Sequence, residues 1–288
     1  MGAVRTRITP MSAVMEVIPL SPALGAQIRG VNVSHPLPEG VFQKIEKAWH
    51  EHLVIVLRGQ DLDEEAQVRF AERFGELSPI HTDHHSATNK AVMYIGNRKK
   101  DGKLAGALPL GEMQFHSDQC YQERPAMGTM LYAIEIPSAG GNTLFASGYR
   151  AYEALPQEIQ QALAGKKAVN VYDYGGGVLE RKGMVDPDKG VSFAHPVART
   201  HPATGRRSLY VNRLMTHHIE GLAANESRDL LAMLFDTLER PEFVYEHRWR
   251  VGDLLLWDNR CTLHARRDFD PNQSRWLRRV TIKGDRPF

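Results

Sequence analysis

Apolar and polar positions alternate in short runs broken by turns, and only a few stretches change to helical spacing. The two-residue alternation, with β-branched and aromatic residues enriched, predicts strands at residues 53–57 (LVIVL), 91–95, 128–136, 143–146, 208–212, 242–249 and 253–257. Apolar residues three and four apart predict helices at 39–52, 64–74, 149–163 and 226–239, the last with Asn225 as N-cap. Strands do not alternate regularly with helices, so a parallel βαβ sheet is not indicated. The pattern predicts a mainly β fold with flanking helices. No internal repeat or low-complexity linker interrupts it. Residues 97–112, NRKKDGKLAGALPLGE, are long for a connection and poorly periodic, and read equally as an active-site lid loop or as a surface connection.

At 288 residues the chain suits one all-β domain spanning 1–288, with residues 1–10 expected to be disordered. Thirty-six Lys and Arg against 34 Asp and Glu leave a net charge of +2, and the basic residues are dispersed, so there is no electrostatic case for nucleic acid. Cys120 and Cys261 lack CxxC spacing, which argues against a disulfide framework or zinc knuckle and fits a reducing cytoplasm. No run of about eighteen apolar residues and no signal-like apolar segment occurs, so a membrane location is not expected. Cys120, close behind a candidate ligand, reads as a packed thiol.

Candidate chemistry enters with MQFHSDQC. Side chains two apart on an extended segment share a face, so His116 and Asp118 could meet one ion while Ser117 points away. One histidine and one carboxylate hold a transition metal poorly, and a second copy of the pattern, His81-Thr82-Asp83, leaves spacing unable to choose between them. A third ligand from elsewhere would complete the two-histidine, one-carboxylate set of non-haem iron oxygenases. His264 follows the predicted strand DLLLWDN, and only a sheet closing on itself would bring it to Asp118. In the last strand Arg275, Leu277, Arg279 and Thr281 share one face, with the two arginine Cα atoms roughly 13 Å apart, enough to grip two anions.

Together these motifs resemble the taurine dioxygenase and phenoxyacetate-herbicide dioxygenase family. The resemblance runs from VIPLSPALGAQIRGVNVSHPL through RFGEL, FHSD, PSAGGNTLFAS, AYEALP and ARTHPATGRRSLYVN to WDNRCTLH and RRVTIKGDRPF. It implies a double-stranded β-helix, or jelly roll, using Fe(II) with 2-oxoglutarate and O2 as co-substrates. It also implies His116, Asp118 and His264 as metal ligands and Thr143 with Arg275 at the distal carboxylate of 2-oxoglutarate. Arg275 stands eleven residues after His264, the family spacing. Arg279 matches a position that meets the substrate's anionic group, and His81 a substrate-side histidine.

The implied reaction is oxidation of a small organic anion, a sulfonate or an aryloxy or alkyl carboxylate, with release of succinate and CO2 and, for some substrates, C–S or C–O cleavage. A carboxylate at Asp118 implies hydroxylation over halogenation. The stretch between GEL and FHSD is longer than in the taurine branch, which argues against taurine itself. A homo-oligomer is expected on general grounds. His217 and His218 read as a surface pair. A non-catalytic jelly-roll binding protein and a zinc hydrolase remain the alternatives, because zinc also accepts three protein ligands; neither has a stated use for the Arg275–Thr143 pair.

Overall fold

The computed structural model describes residues 14–79, 86–108, 110–172 and 190–288. The expectations for residues 1–10 and for His81 fall outside the described residues.

Two sheets face each other. The larger runs Glu16–Pro19, Ala26–Arg29, Val54–Leu57, Leu254–Asp258, Ala126–Glu135, Trp276–Lys283, Val92–Gly96. The smaller runs Val244–His247, Thr143–Ser147, Thr262–Arg266, Met113–His116 and is antiparallel throughout. Alternation along each strand makes the layers. On Ala126–Glu135, Met130 and Tyr132 turn outward to Phe42, Ile45 and Trp49 of helix Glu39–His52 and to Phe70 of helix Glu64–Glu72, whereas Leu131 and Ala133 turn inward. The inward set joins Leu255, Trp257 and Leu277 of the larger sheet to Phe145 and Tyr245 of the smaller. Ala146 and Leu263, on the smaller sheet's outer face, pack under helix Ala224–Leu238 and strand Lys167–Tyr172. The result is the expected mainly β jelly roll with flanking helices. No described helix is long and apolar enough to cross a membrane.

Local departures have identifiable causes. Helix 149–163 divides into Gly148–Glu153 and Gln157–Ala162, because Pro156 cannot continue the first and instead starts the second. Asn225 is not the N-cap: the helix begins at Ala224, and the Glu226 carboxylate accepts the Ala223 N–H, an interaction that places the start two residues earlier. His264 follows the strand Leu254–Asp258 as expected, but it lies within a further strand, Thr262–Arg266, and is not isolated between strands.

His195, on strand Val191–Pro196, is buried, and its Nε2–H donates to the Gln122 carbonyl at 2.8 Å. Burial pushes its pKa down to about 4; Arg199 and Arg286 act in the same direction, and the Gln122 hydrogen bond opposes them. A folded-state pKa below the unfolded value means stability that is present above pH 6.5 and is lost as pH falls toward 4. The imidazole should therefore account for about 2 kcal/mol of stability lost between pH 7.5 and pH 5. Urea unfolding of His195→Gln at both pH values should show a shallower pH dependence than the wild type, and an equal slope would remove this assignment.

Candidate active site

The register of the smaller sheet assembles the first group. His264 and His116 are paired Cα partners on adjacent strands, with ring centroids 4.1 Å apart. Asp118 lies just past the end of the His116 strand, and the Ser117 hydroxyl turns away to donate to the Asn259 carbonyl at 2.9 Å. One ligand atom from each of His116, Asp118 and His264 lies within 4.8 Å of the others, and all three residues are buried. His116 Nδ1 is 2.9 Å from the Gln114 carbonyl, so that nitrogen carries the proton and Nε2 is the free lone pair. Asp118 Oδ2 accepts from the Thr129 hydroxyl at 2.7 Å and pairs with Arg279 Nη2 at 2.9 Å. Oδ1, in contrast, accepts no hydrogen bond among the described residues and faces His264 Nε2 at 3.9 Å.

Charge states follow the same pattern. Burial lowers the pKa of both imidazoles, that of His264 well below its ordinary value. Burial alone would raise Asp118, but the Arg279 guanidinium, helped by the Thr129 hydrogen bond, outweighs it and holds the carboxyl well below the usual range. At neutral pH the site therefore presents two neutral imidazoles and one carboxylate, a donor set that suits a divalent transition metal. His264 Nδ1 is buried without a hydrogen-bond partner among the described residues, which is unusual for a polar atom in a finished core.

A second group is built around Arg275. It is 2% exposed, and its Nε donates to the Gly141 carbonyl at 3.1 Å. Gly141 has φ +66°, and a Cβ there would press within 3.0 Å of the Arg275 side chain, so the Gly-Gly turn is required by this approach. No carboxylate pairs with Arg275 among the described residues. Burial and the neighbouring Arg266 push its pKa down to about 9, and burial pushes Arg266 to about 10. Arg266 pairs in register with Thr143 and donates to the carbonyls of Leu108, Leu110 and Gly111. Trp249 Nε1 donates to Thr143 Oγ1 at 3.0 Å, which leaves the hydroxyl proton free to point elsewhere.

Other expected residues are placed as follows. Arg279 is bonded to Asp118 and, through Nε, to Thr281 Oγ1 at 3.0 Å; it therefore adjoins the triad directly. His217 and His218 contact each other through Nδ1 atoms 2.8 Å apart. Cys120 is buried against Met215 and Asn212, and burial raises its thiol to about 12, in keeping with a packed neutral thiol. Within residues 97–112 a short hairpin pairs Lys99–Lys100 with Lys103–Leu104, and the end of the segment is tied down by Arg266. His201, Asp258 and Cys261 form another buried group, but Asp258 already accepts from Arg260 Nε and Nη2 and pairs with His201 Nε2, so its charge is compensated within the protein. Sequence reasoning missed Arg266, Thr129, Asn259 and Trp249. Arg266 was the one within reach, since it lies two residues beyond His264 on the same strand face.

Residues 16–281 match the model of the taurine catabolism dioxygenase TauD, TfdA family. The chain belongs to this family. It is 34% identical to an alpha-ketoglutarate-dependent 2,4-dichlorophenoxyacetate dioxygenase of Cupriavidus pinatubonensis, over 93% of this chain and 97% of the relative. It is also 34% identical to a pentalenolactone F synthase of Streptomyces avermitilis, over 96% and 97%. A crystal structure of a putative alpha-ketoglutarate-dependent taurine dioxygenase from Burkholderia xenovorans superposes with a TM-score of 0.81 at 29% identity, covering 95% of this chain and 94% of that one. The enzyme is a 2-oxoglutarate-dependent dioxygenase, with 2-oxoglutarate and O2 as co-substrates. The binding-protein and zinc-hydrolase alternatives gain no support from these relatives.

Proposed function

We propose that His116, Asp118 and His264 hold Fe(II), that Arg275 and Thr143 bind the distal carboxylate of 2-oxoglutarate, and that the chain acts as a single catalytic domain oxidising a small organic anion. The observation that carries this reading is that no carboxylate among the described residues compensates the charge of Arg275. A guanidinium buried without an anion is costly, and a site that keeps one is built to receive a carboxylate. Arg275 offers a planar fork of donors, and the Thr143 hydroxyl, with its oxygen already engaged by Trp249, offers its proton. Arg266 adds positive charge beside them while its own donors hold the carbonyls of Leu108, Leu110 and Gly111.

When bound, the iron would couple oxidative decarboxylation of 2-oxoglutarate to succinate and CO2 with insertion of one oxygen atom of O2 into a substrate C–H bond. The protein's part is orientation. Thr129 and Arg279 fix Asp118 by one oxygen, and the Gln114 carbonyl fixes His116 in the tautomer that presents Nε2. Arg279 uses Nη2 and Nε on Asp118 and Thr281, leaving its remaining donors for the anionic group of the substrate. Across the strands it pairs with Met93, which packs with Ile95 and Leu277, so an apolar wall adjoins the cation. If the oxidised carbon carries an ether oxygen or sulfur, the hydroxylated product collapses to a carbonyl compound and releases a phenol, alcohol or sulfite.

Two relatives of equal identity carry names for different chemistry, so the substrate must be found by assay. A panel of aryloxyacetates, alkyl sulfonates and their neutral amide counterparts, scored by succinate release over the substrate-free background, is expected to single out anions. Equal stimulation by the neutral counterparts would contradict the role given to Arg279.

A further inference from the structure

Asp118 can present either carboxylate oxygen to a metal, and a chain of buried groups decides which. Trp257 Nε1 donates to Asn259 Oδ1 at 2.8 Å, Asn259 Nδ2 donates to Thr129 Oγ1 at 3.0 Å, and Thr129 Oγ1 donates to Asp118 Oδ2 at 2.7 Å. Trp257 and Asp118 are at most 6% exposed and Thr129 and Asn259 are fully buried, so water does not compete with these bonds. The direction of every proton is forced from one end. An indole N–H can only donate, so the Asn259 amide must turn its oxygen to Trp257 and its NH2 to Thr129. The Thr129 oxygen is then an acceptor, and its single proton is left for the carboxylate.

The amide is itself held on both sides. The Asn259 N–H donates to the Met127 carbonyl at 2.9 Å, the Asn259 carbonyl accepts the Ser117 hydroxyl at 2.9 Å, and the Asp118 N–H reaches Asn259 Oδ1 at 3.4 Å. One end of the relay also touches a second candidate ligand, since the Trp257 ring lies 4.6 Å from the His264 ring between centroids.

We infer that Thr129 is a positioning residue, aimed by Asn259 and Trp257, which together with Arg279 occupies Oδ2 of Asp118 and leaves Oδ1, the oxygen facing His264, as the atom offered to the metal. This rests on the reading of His116, Asp118 and His264 as the metal site. Without the hydroxyl, Oδ2 loses one of its two partners and the carboxylate is free to rotate or to present both oxygens.

The test uses Co(II) added to the apoprotein without oxygen, reading the dissociation constant and the visible d–d bands, which respond to ligand number and geometry. Thr129→Val keeps the shape and removes the hydroxyl. It should weaken Co(II) binding by about 10- to 100-fold, the usual range for partners of a ligand, and alter the bands. Thr129→Ser should restore both. Trp257→Phe keeps a ring beside His264 but lets the Asn259 amide turn over, and should give a smaller loss of the same sign. Should the valine methyl against the carboxylate prevent folding, Thr129→Ala removes the hydroxyl without filling its place and takes the same test. Wild-type affinity and bands in a folded Thr129 variant, with Asp118→Ala having lost Co(II), would overturn the relay alone. Wild-type Co(II) binding in Asp118→Ala would overturn the metal site beneath it.

Discussion

Replacing Asp118 by alanine is expected to abolish 2-oxoglutarate-dependent succinate formation, a loss well beyond the roughly 10- to 100-fold typical of removing a partner of a ligand. Two effects combine. The alanine variant lacks the only carboxylate among the three clustered ligand residues, and it leaves the Arg279 guanidinium, which had paired with Asp118 Oδ2 at 2.9 Å, beside two imidazoles. A cation next to two neutral nitrogens opposes metal entry, so excess iron should not rescue the variant. The control is Asp83→Ala, in the other His-x-Asp sequence, which should retain turnover. If Asp118→Ala turned over normally and Asp83→Ala were dead, the metal would belong to the other pair.

Arg275 should give the second large effect, and it separates ligand binding from stability. Arg275→Met replaces a buried, uncompensated guanidinium with an apolar chain of similar length. Loss of a bidentate charge-assisted pair is expected to raise the 2-oxoglutarate requirement by about 100-fold, or about 3 kcal/mol. The ligand-free variant, however, should unfold no more easily than the wild type, because removing a buried charge without a partner relieves a desolvation cost. The thermal shift produced by 2-oxoglutarate with Mn(II) should vanish. Arg279→Met should affect 2-oxoglutarate far less. Equal effects of the two substitutions on the 2-oxoglutarate requirement would end the division of labour between them, and a strongly destabilised Arg275→Met apoprotein would show that the charge is compensated.

That His116 and Asp118 could share a face was legible because spacing of two on an extended segment is a local property, and Ser117 does turn away as that geometry requires, but only the family motifs chose this pair over His81 and Asp83. The two faces of the last strand were legible for the same reason: Leu277 turns inward with Arg279, while Val280 and Ile282 turn to the helices. His264 could be joined to them only through the family motifs, since no local pattern records that its strand pairs with that of His116. Trp257, Thr129 and Asn259 were not legible as site residues. Each stands in an apolar or turn segment where a core role explains it, and their meaning comes from side-chain bonds spanning more than a hundred residues of sequence, as between Asn259 and Thr129. Arg278 and Arg275 illustrate the same limit. Both are buried arginines near one end of the last strand, yet Arg278 donates to Gln67 and to the Leu62 and Asp63 carbonyls, whereas Arg275 has, among the described residues, one side-chain bond to the Gly141 carbonyl and no acid. Strand alternation separates their faces but does not tell which one has a partner.

The central claim is that the three clustered residues and Arg275 form one Fe(II) and 2-oxoglutarate site. It is tested most directly by anaerobic titration of the apoprotein with Fe(II) and then 2-oxoglutarate, following the visible charge-transfer absorption of the bound pair. A band that requires both additions, disappears in Asp118→Ala and needs far more 2-oxoglutarate in Arg275→Met is the predicted result. Absence of the band in folded wild-type protein, or its persistence unchanged in Asp118→Ala, would contradict the account.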